Sequence, residues 1–326
     1  MIRRRGFMRT ALGALVLLVA ALALPDYSNA VSSTGPTGAA LAQAAAAMPK
    51  PMLGGWSRDA TWYSSHVGTV EIYRSYDLRF SYATWNKTAA YRAHGNAPED
   101  YSFNLPPADV ASGKDDAILK TFIASTPKDI ILTNYHEPEQ EIAAGKFTAA
   151  QFRASIVRLA NLVHAQNAID GGTRRVSVIL MYDTIYGFKG RNPMNYWPGR
   201  NPATGANYAD LISFDTYALP HATNTPGVPK GFTDGLKWQT AKQLLDPSIA
   251  FAQQIGSPWM VSEFGYLEDV SNPMHKAQAI TDFVNYARLH GAVAVEYWDA
   301  YGTRADWQLR YGGNATAAWK AIVNTP

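Results

Sequence analysis

Two glutamates stand at corresponding places in the sequence, each just after a short apolar stretch that resembles a buried strand. The stretch Asp129–Asn134 leads to Glu137, and the stretch Trp259–Ser262 leads directly to Glu263. In barrels of parallel strands the reactive residues lie at the C-terminal strand ends. Two carboxylates in such positions can act as proton donor and nucleophile, the pair that cleavage of a glycosidic bond requires. For this chemistry the fold must bring the side chains of Glu137 and Glu263 together.

Eight short apolar stretches bounded by turn residues have the pattern of strands that are buried on both faces. They are Met52–Gly54, Val70–Tyr76, Tyr101–Asn104, Asp129–Asn134, Val176–Met181, Leu211–Asp215, Trp259–Ser262 and Ala292–Tyr297. The interval from Glu137 to Glu263 fits three strand–helix units, which places the glutamates after the fourth and the seventh strands.

Helical signals occur between these strands. They predict helices over Asp115–Ser125, after the capping box Thr148–Gln151, over Pro247–Ile255, from the N-cap Asn272 to Gly291, and over Thr316–Val323. Alternating strands and helices predict a parallel sheet, and eight repeats predict an α/β fold closed into a (β/α)8 TIM barrel. The doubly wound alternative expects a glycine-rich phosphate turn after the first strand, which Gly54-Gly55-Trp56 does not provide. Residues 187–210 have no helical period and are expected to form a long loop over the barrel mouth.

The first thirty residues have the features of an export signal. Four arginines precede an apolar run over Ala11–Leu24 that is short for a membrane span of ~20 residues, and Ser28-Asn29-Ala30 offers a cleavage site. The pair Arg4-Arg5 resembles a twin-arginine signal. We therefore expect a signal peptide over 1–30, an Ala/Ser/Thr-rich linker over 31–50 and a barrel domain over 51–326. The expected product is secreted and has no stable membrane span after signal removal.

Composition excludes several classes of partner and chemistry. Four of the 29 basic and one of the 26 acidic residues lie in the first thirty, so the remainder carries 25 of each and is formally neutral. A neutral chain gives no basis for a nucleic-acid partner. The absence of cysteine excludes disulfides, thiolate metal sites and a cysteine nucleophile. His136-Glu137 is not half of a zinc helix motif, because no second histidine follows four positions on. We expect no metal and no cofactor, and a monomer.

A family resemblance rests on these motifs. A glutamate after strand four and another after strand seven resemble the acid/base and nucleophile of clan A glycoside hydrolases. Histidine rather than asparagine precedes the first glutamate, and this His136-Glu137 pair is most similar to glycoside hydrolase family 26, whose best-known members are β-mannanases. The resemblance covers the barrel domain as a strand pattern, while only these short motifs are specific.

The resemblance implies a role for each further residue of the site. Glu137 would be the general acid and then the general base, with a raised pKa, and Glu263 would remain ionised and attack the anomeric carbon. Arg74 and Tyr217 would hold Glu263 by hydrogen bonds, His136 would support the site, and Trp298 would form the apolar floor under the sugar.

Other residues are candidates because of their type and place. Sugars stack their C–H faces on aromatic rings, which makes Trp197 and Trp85 candidates for outer subsites. Asp183 and Asp215 end strands and could bind sugar hydroxyls or cap loops. Glu296 is a rival carboxylate, but its place inside a strand favours a buried polar layer.

Three functions remain open from the sequence. The favoured one is a retaining glycoside hydrolase that cleaves a β-linked polysaccharide or oligosaccharide, with β-mannan preferred and endo action expected. The second is a non-catalytic carbohydrate-binding barrel, since one fold hosts many functions. The third is a glucanase or xylanase of the same clan, which would share the catalytic residues and differ in its loops.

Overall fold

The computed structural model describes residues 49–78, 80, 97–181, 192–218, 239–269, 272–300, 307–311 and 313–325. The predicted signal peptide, the predicted linker up to residue 48, Trp85, Asp183 and the first part of the predicted 187–210 loop lie outside the described residues. Among the described residues, no helix is long and apolar enough to cross a membrane.

Eight parallel strands form a closed barrel in chain order, which confirms the predicted (β/α)8 TIM barrel. Strands β1 to β8 span Met52–Ser57, Ile72–Asp77, Glu99–Phe103, Ile131–Asn134, Arg175–Met181, Leu211–Ala218, Trp259–Tyr266 and Ala294–Asp299. The first and last strands close the barrel with six consecutive residue pairs, from Met52 opposite Ala294 to Ser57 opposite Asp299. A side chain at Gly54 would meet the backbone of Ile72 at 1.7 Å, so close strand packing requires glycine there.

Helices surround the barrel. Helices α1 to α8 of the described residues span Ala60–His66, Pro107–Ser112, Asp116–Ser125, Pro138–Ala143, Ala149–Asp170, Ala241–Ile255, His275–Leu289 and Gly313–Asn324. Two 3-10 turns, Pro193–Asn195 and Leu309–Tyr311, lie in the connections after β5 and β8.

One of the predicted helix starts is correct and two are wrong. The capping box at Thr148 is present and begins α5. The predicted start at Pro247 is wrong, because a second capping box at Thr240 begins α6 earlier and Pro247 lies inside that helix. The predicted N-cap Asn272 is also wrong: its side chain accepts from the backbone N–H of Met274, and this turn precedes α7.

The barrel wall separates two sets of apolar side chains. Residues on one strand face pack under the helices and form the main core. A smaller cluster with one residue each from five strands lies inside the barrel: Ile72, Ile131, Leu211, Met260 and Ala294. Since side chains alternate along a strand, residues two and four positions further on also face inward. These later inward positions carry the polar site.

Candidate active site

The inward positions above the apolar cluster form a buried polar layer. Arg74 lies two residues after Ile72, Ser213 two after Leu211, and Glu296 two after Ala294, and all three are fully buried. Glu296 is therefore part of this layer, as its place inside the strand suggested. Burial raises the pKa of Glu296 well above its usual value, and Asp100 raises it further. The layer supports the barrel mouth from below.

A β-bulge in β7 turns Glu263 toward the barrel mouth. The pairing of β6 with β7 runs from Phe214 opposite Val261 directly to Asp215 opposite Glu263, so Ser262 is the extra residue. Val261 and Phe264 both pack in the outer core. Ser262 and Glu263 between them both face inward, because a bulge breaks the alternation of side chains. Glu263 lies inside β7 rather than after it, since the strand continues four residues beyond the predicted end.

Two tyrosine hydroxyls hold the carboxylate of Glu263. The hydroxyl of Tyr76 donates a hydrogen bond to Oε1 and that of Tyr217 donates one to Oε2. Nη2 of Arg74 lies 3.7 Å from Oε1, which makes an ion pair but exceeds hydrogen-bond length. Burial raises the pKa of Glu263, while Arg74 and the two hydroxyls lower it. The surroundings thus partly offset the cost of an ionised carboxylate in this place.

Arg74 is anchored from below. Its Nη1 donates to Oγ of Ser102 at 2.7 Å and to the backbone oxygen of Asp100 at 3.3 Å, and it lies 3.6 Å from Oδ2 of Asp100. Its guanidinium carbon lies 4.4 Å from the centre of the Tyr76 ring. Burial lowers the pKa of Arg74, but Asp100 and neighbouring groups raise it well above its usual value. Arg74 is therefore a fixed positive charge beneath Glu263.

Glu137 follows β4 in an uncommon backbone conformation. Glu137 has φ of 49° and Tyr135 has φ of 60°, both in the left-handed region that non-glycine residues seldom occupy. The backbone N–H of Glu137 donates to the oxygen of Ile179 at 3.1 Å, and Nε2 of Gln140 donates to its Oε2 at 3.2 Å. Such conformations persist where surrounding contacts enforce them, and they concentrate at functional sites.

Glu137 and Glu263 both raise the pKa of Tyr217 and of Asp215. The pKa of Tyr217 is raised well above its usual value by burial first, then by Glu263, with a further contribution from Glu137. Asp215 has its pKa raised by burial, then by Glu263 and then by Glu137. Both glutamates therefore lie within electrostatic range of one part of β6. This is the side of the mouth that they share.

His136 packs against the support of Glu263. Its ring centre lies 5.2 Å from that of Tyr76, in an edge-to-face arrangement. Burial lowers the pKa of His136 to about 3, and the charge of Arg74 contributes in the same direction. The imidazole is consequently neutral at neutral pH. His136 connects the peptide that carries Glu137 with the tyrosine that binds Glu263.

Aromatic rings line the adjoining part of the mouth. Trp298 lies within β8, and its indole is nearly parallel to that of Trp56 on β1, with ring centres 5.8 Å apart. Trp307 packs at 5.5 Å against Trp298 and at 4.7 Å against Tyr217. A side chain at Gly265 would meet the Trp307 ring at 2.7 Å, so glycine makes room for that ring. Trp56 and Trp298 are both partly exposed and present apolar faces.

Trp197 differs from Trp298 in its surroundings. It is partly buried and packs against the main core. It follows the 3-10 turn Pro193–Asn195 in the described part of the long connection after β5. A subsite role for Trp197 stays a prediction.

The fold of this chain resembles those of known proteins, whereas its sequence does not match them. No protein-family model and no curated protein matches the sequence. Solved structures do resemble it. The catalytic domain of the family 26 endo-β-1,4-mannanase of Bacillus sp. JAMB-750 has a TM-score of 0.51 at 13% identity, over 87% of this chain and 88% of that one. The chain shares the barrel fold of family 26 mannanases.

Two further structures give the same result. A modular family 26 endo-β-1,4-mannanase from Cellulomonas fimi has a TM-score of 0.50 at 15% identity, over 88% of this chain and 73% of that one. XacCel5A has a TM-score of 0.53 at 10% identity, over 85% of this chain and 98% of that one. At such identities the likeness to the family 26 mannanases establishes the fold.

Three aromatic residues of the site, Tyr76, Trp56 and Trp307, are not predicted by the sequence motifs. The sequence predicts only a strand position for Tyr76, although Tyr76 lies two residues after Arg74 and therefore on the same face. The predicted first strand ends before Trp56, but β1 extends three residues beyond that end and includes it. Trp307 gave no signal, because it belongs to no periodic segment. Strand parity could have identified Tyr76.

No group of three or more histidine, cysteine, aspartate or glutamate side chains within the described ranges could hold a metal ion.

Proposed function

We propose that this chain is a retaining glycoside hydrolase that cleaves β-linked polysaccharide. The observation that carries the proposal is the setting of Glu263, which is held at both oxygens by tyrosine hydroxyls at a parallel barrel's C-terminal end. A carboxylate fixed in this way is suited to attack a carbon atom rather than to bind solvent. Glu137 lies after β4 and acts electrostatically on Tyr217, which also binds Glu263.

In the first step Glu263 acts as nucleophile. One of its oxygens forms a bond to the anomeric carbon while the bond from that carbon to the leaving oxygen breaks. The carboxyl of Glu137 gives its proton to the leaving oxygen, so that the leaving group departs as a neutral hydroxyl. Arg74, buried beneath Glu263, keeps a positive charge near the carboxylate before the bond forms.

In the second step Glu137 acts as base. Its carboxylate takes a proton from water, and the water oxygen attacks the anomeric carbon as the ester bond to Glu263 breaks. Two displacements at one carbon restore the original configuration. Glu137 recovers its proton and Glu263 its negative charge, so the site is ready for another cycle.

The aromatic pair Trp56 and Trp298 supports a substrate made of several sugars. Their nearly parallel rings stack on each other, and the parts that stay exposed offer apolar surface on which the C–H faces of sugar rings can pack. We propose Trp298 as the floor beneath the sugar at the cleavage point and Trp56 as the floor of the next subsite. β-Mannan is the favoured polymer, and its support is the His136-Glu137 pair together with the fold shared with family 26 mannanases.

The deciding experiment is hydrolysis of a polysaccharide panel that includes β-mannan, β-glucan and xylan, with NMR of the first product. Retention of β configuration is expected. Glu263→Ala should lose turnover, and added azide should restore product as an α-glycosyl azide. Glu137→Ala supplied with an activated aryl glycoside should form a β-glycosyl azide instead, because azide then replaces water in the second step. Near-wild-type turnover by either variant would refute the assigned roles.

The two other functions give different results in the same experiment. A glucanase or xylanase would act on another polymer of the panel with the same azide products. A carbohydrate-binding barrel would retain a polysaccharide without releasing reducing ends, and binding would survive Glu263→Gln.

We also propose that the chain is exported through its first thirty residues and that the mature form is a monomer. The support is the arginine-led apolar run and the twin-arginine resemblance. Replacing Arg4-Arg5 by two lysines should stop export through a twin-arginine route. Continued export would favour the general secretion route, and sedimentation of the mature chain tests the oligomeric state.

A further inference from the structure

Tyr76 contacts parts of the site that belong to several strands. Its hydroxyl donates to Oε1 of Glu263, and Arg74 lies 4.4 Å from its ring centre. Its ring also lies edge-to-face against His136 at 5.2 Å and against Trp56 at 5.8 Å. Residues from β1, β2, β7 and the segment after β4 therefore meet at one side chain.

We propose that Tyr76 is a positioning residue that fixes the orientation of Glu263, keeps that carboxylate ionised, and sets its place relative to Glu137 through His136. This inference rests on the proposed function and deepens it, since the family resemblance implies that Arg74 and Tyr217 hold Glu263 and gives no role to Tyr76. Because Arg74 lies 3.7 Å from Oε1, the hydroxyl of Tyr76 is the hydrogen-bond donor observed at that oxygen.

The hydroxyl keeps its proton throughout the working pH range. Burial raises the pKa of Tyr76, Arg74 lowers it, and the neighbouring carboxyls of Glu263 and Asp215 raise it, so that it lies well above its usual value. A protonated hydroxyl donates to the ionised carboxylate and so lowers the pKa of Glu263. Loss of that hydroxyl must therefore move the titration of Glu263 to higher pH.

Several other groups also act on Glu263 and must be kept constant in the test. Those charged or titratable groups are Arg74 on β2, Asp100 on β3, Asp215 and Tyr217 on β6, and Glu296 on β8. Tyr76→Phe leaves all of them in place, and it keeps the ring that packs against Arg74 and His136. The substitution therefore isolates one hydrogen bond.

A matched control exists on the outer surface. The hydroxyl of Tyr286 donates to Oδ1 of Asp246 at 2.6 Å, between α6 and α7. Tyr286→Phe removes the same kind of tyrosine–carboxylate hydrogen bond away from the site. It should alter neither the titration of Glu263 nor turnover.

The first measurement needs no substrate. Carboxyl-carbon NMR of glutamate-labelled protein gives the titration midpoint of Glu263, and Glu263→Gln identifies its signal. Tyr76→Phe should raise that midpoint by about one pH unit, the size expected for loss of a hydrogen bond to a charged group. An unchanged midpoint in Tyr76→Phe would overturn the proposal, whether or not the wild type cleaves glycosides.

The second measurement uses the enzyme with its best substrate from the panel. Tyr76→Phe should lower kcat by roughly ten- to hundredfold with KM changed by less than about threefold, because the lost bond orients the nucleophile in the reacting complex. The acidic limb of kcat/KM should move upward by the same amount as the NMR midpoint. Unchanged kcat and an unmoved limb would overturn the positioning role. If Tyr76→Phe shifts the midpoint of Glu263 but the wild type has no hydrolytic activity, the proposed function is refuted. The control of Glu263 by Tyr76 is then still supported.

Discussion

Asp215 and Glu263 lie directly opposite each other on neighbouring strands, and both are buried. Two carboxylates so close cannot both be ionised at low cost, because each charge opposes the other and water is excluded. Burial and Glu263 raise the pKa of Asp215 well above its usual value. For Glu263, the charge of Arg74 and the hydrogen bonds from Tyr217 and Tyr76 lower the pKa and so oppose the effect of burial. We infer that Asp215 holds the proton and Glu263 the charge.

Replacement of Asp215 by asparagine tests this division. A carboxyl whose folded-state pKa is raised stabilises the fold at low pH, and this contribution is lost as pH rises through the folded-state value. Asp215→Asn cannot ionise, so its melting temperature should exceed that of the wild type by an amount that grows with pH above about 4. Thermal melts from pH 4 to 9 give the comparison. Equal or lower melting temperatures of the variant at alkaline pH would contradict a protonated Asp215.

The acidic limb of the activity profile should lie above the ordinary range of a glutamate. Glu263 must be ionised to attack, and burial raises its pKa. Activity should therefore fall as pH drops toward the raised pKa of Glu263, at a higher pH than an exposed glutamate of about 4.3 would produce. The measurement is kcat/KM against pH under conditions where the fold is intact by circular dichroism. A profile that stays flat down to pH 4 would mean that Glu263 is not the titrating nucleophile.

The aromatic pair predicts a dependence on substrate length. Trp56→Ala should lower kcat/KM for oligosaccharides by roughly five- to thirtyfold, the loss expected for one stacked aromatic face. The loss should be much smaller for an aryl glycoside of one sugar, which ends at the Trp298 subsite. Trp298→Ala should reduce both substrates. Equal losses on both substrates after Trp56→Ala would indicate a packing role for Trp56 instead.

Substitution of the buried Glu99, which lies outside the barrel mouth, should stabilise the fold. It is 1% exposed, and burial raises its pKa to about 8, although the hydroxyl of Ser75 lowers it. The raised pKa means that its favourable contribution is present below pH 4.5 and is lost as pH rises toward 8. Glu99→Gln should increase the free energy of unfolding by about 2–3 kcal/mol at pH 7.

The melting temperature of Glu99→Gln should accordingly rise by roughly 5 °C at pH 7, with little change at pH 4. Glu71→Gln is the control, since Glu71 has a side chain that is 43% exposed and pairs with Lys50 at the surface. That variant should change stability by only a few tenths of a kcal/mol. A gain for Glu99→Gln that is the same at pH 4 and pH 7 would show that ionisation of Glu99 is not its cause.

The sequence predicted the barrel because the relevant signals are local. Short apolar runs between polar turns mark strands buried on both faces, and all eight predicted strands are present. The predicted C-terminal ends at Asn134 and Met181 are correct, and the end at Asn104 is one residue too late. The other five are too early: Gly54, Tyr76, Asp215, Ser262 and Tyr297. In those five strands the ladder continues past the apolar run into residues of mixed type, and the extra pairs depend on the neighbouring strands rather than on local sequence. Asn272 failed as a cap for a similar reason, since a capping side chain serves a turn as well as a helix.

Residue types and strand parity in the sequence determined a barrel, its two candidate glutamates and most groups around them, because burial and alternation follow from the order of apolar and polar residues. Only the tertiary structure decided that Glu263 faces inward. Counting by twos from Met260 places Glu263 on the outer face, and the extra residue Ser262 reverses this. Tertiary contacts likewise set the left-handed backbone at Tyr135 and Glu137. The bulge and the strained turn depend on neighbouring strands that are distant in the chain, so the local sequence does not predict them.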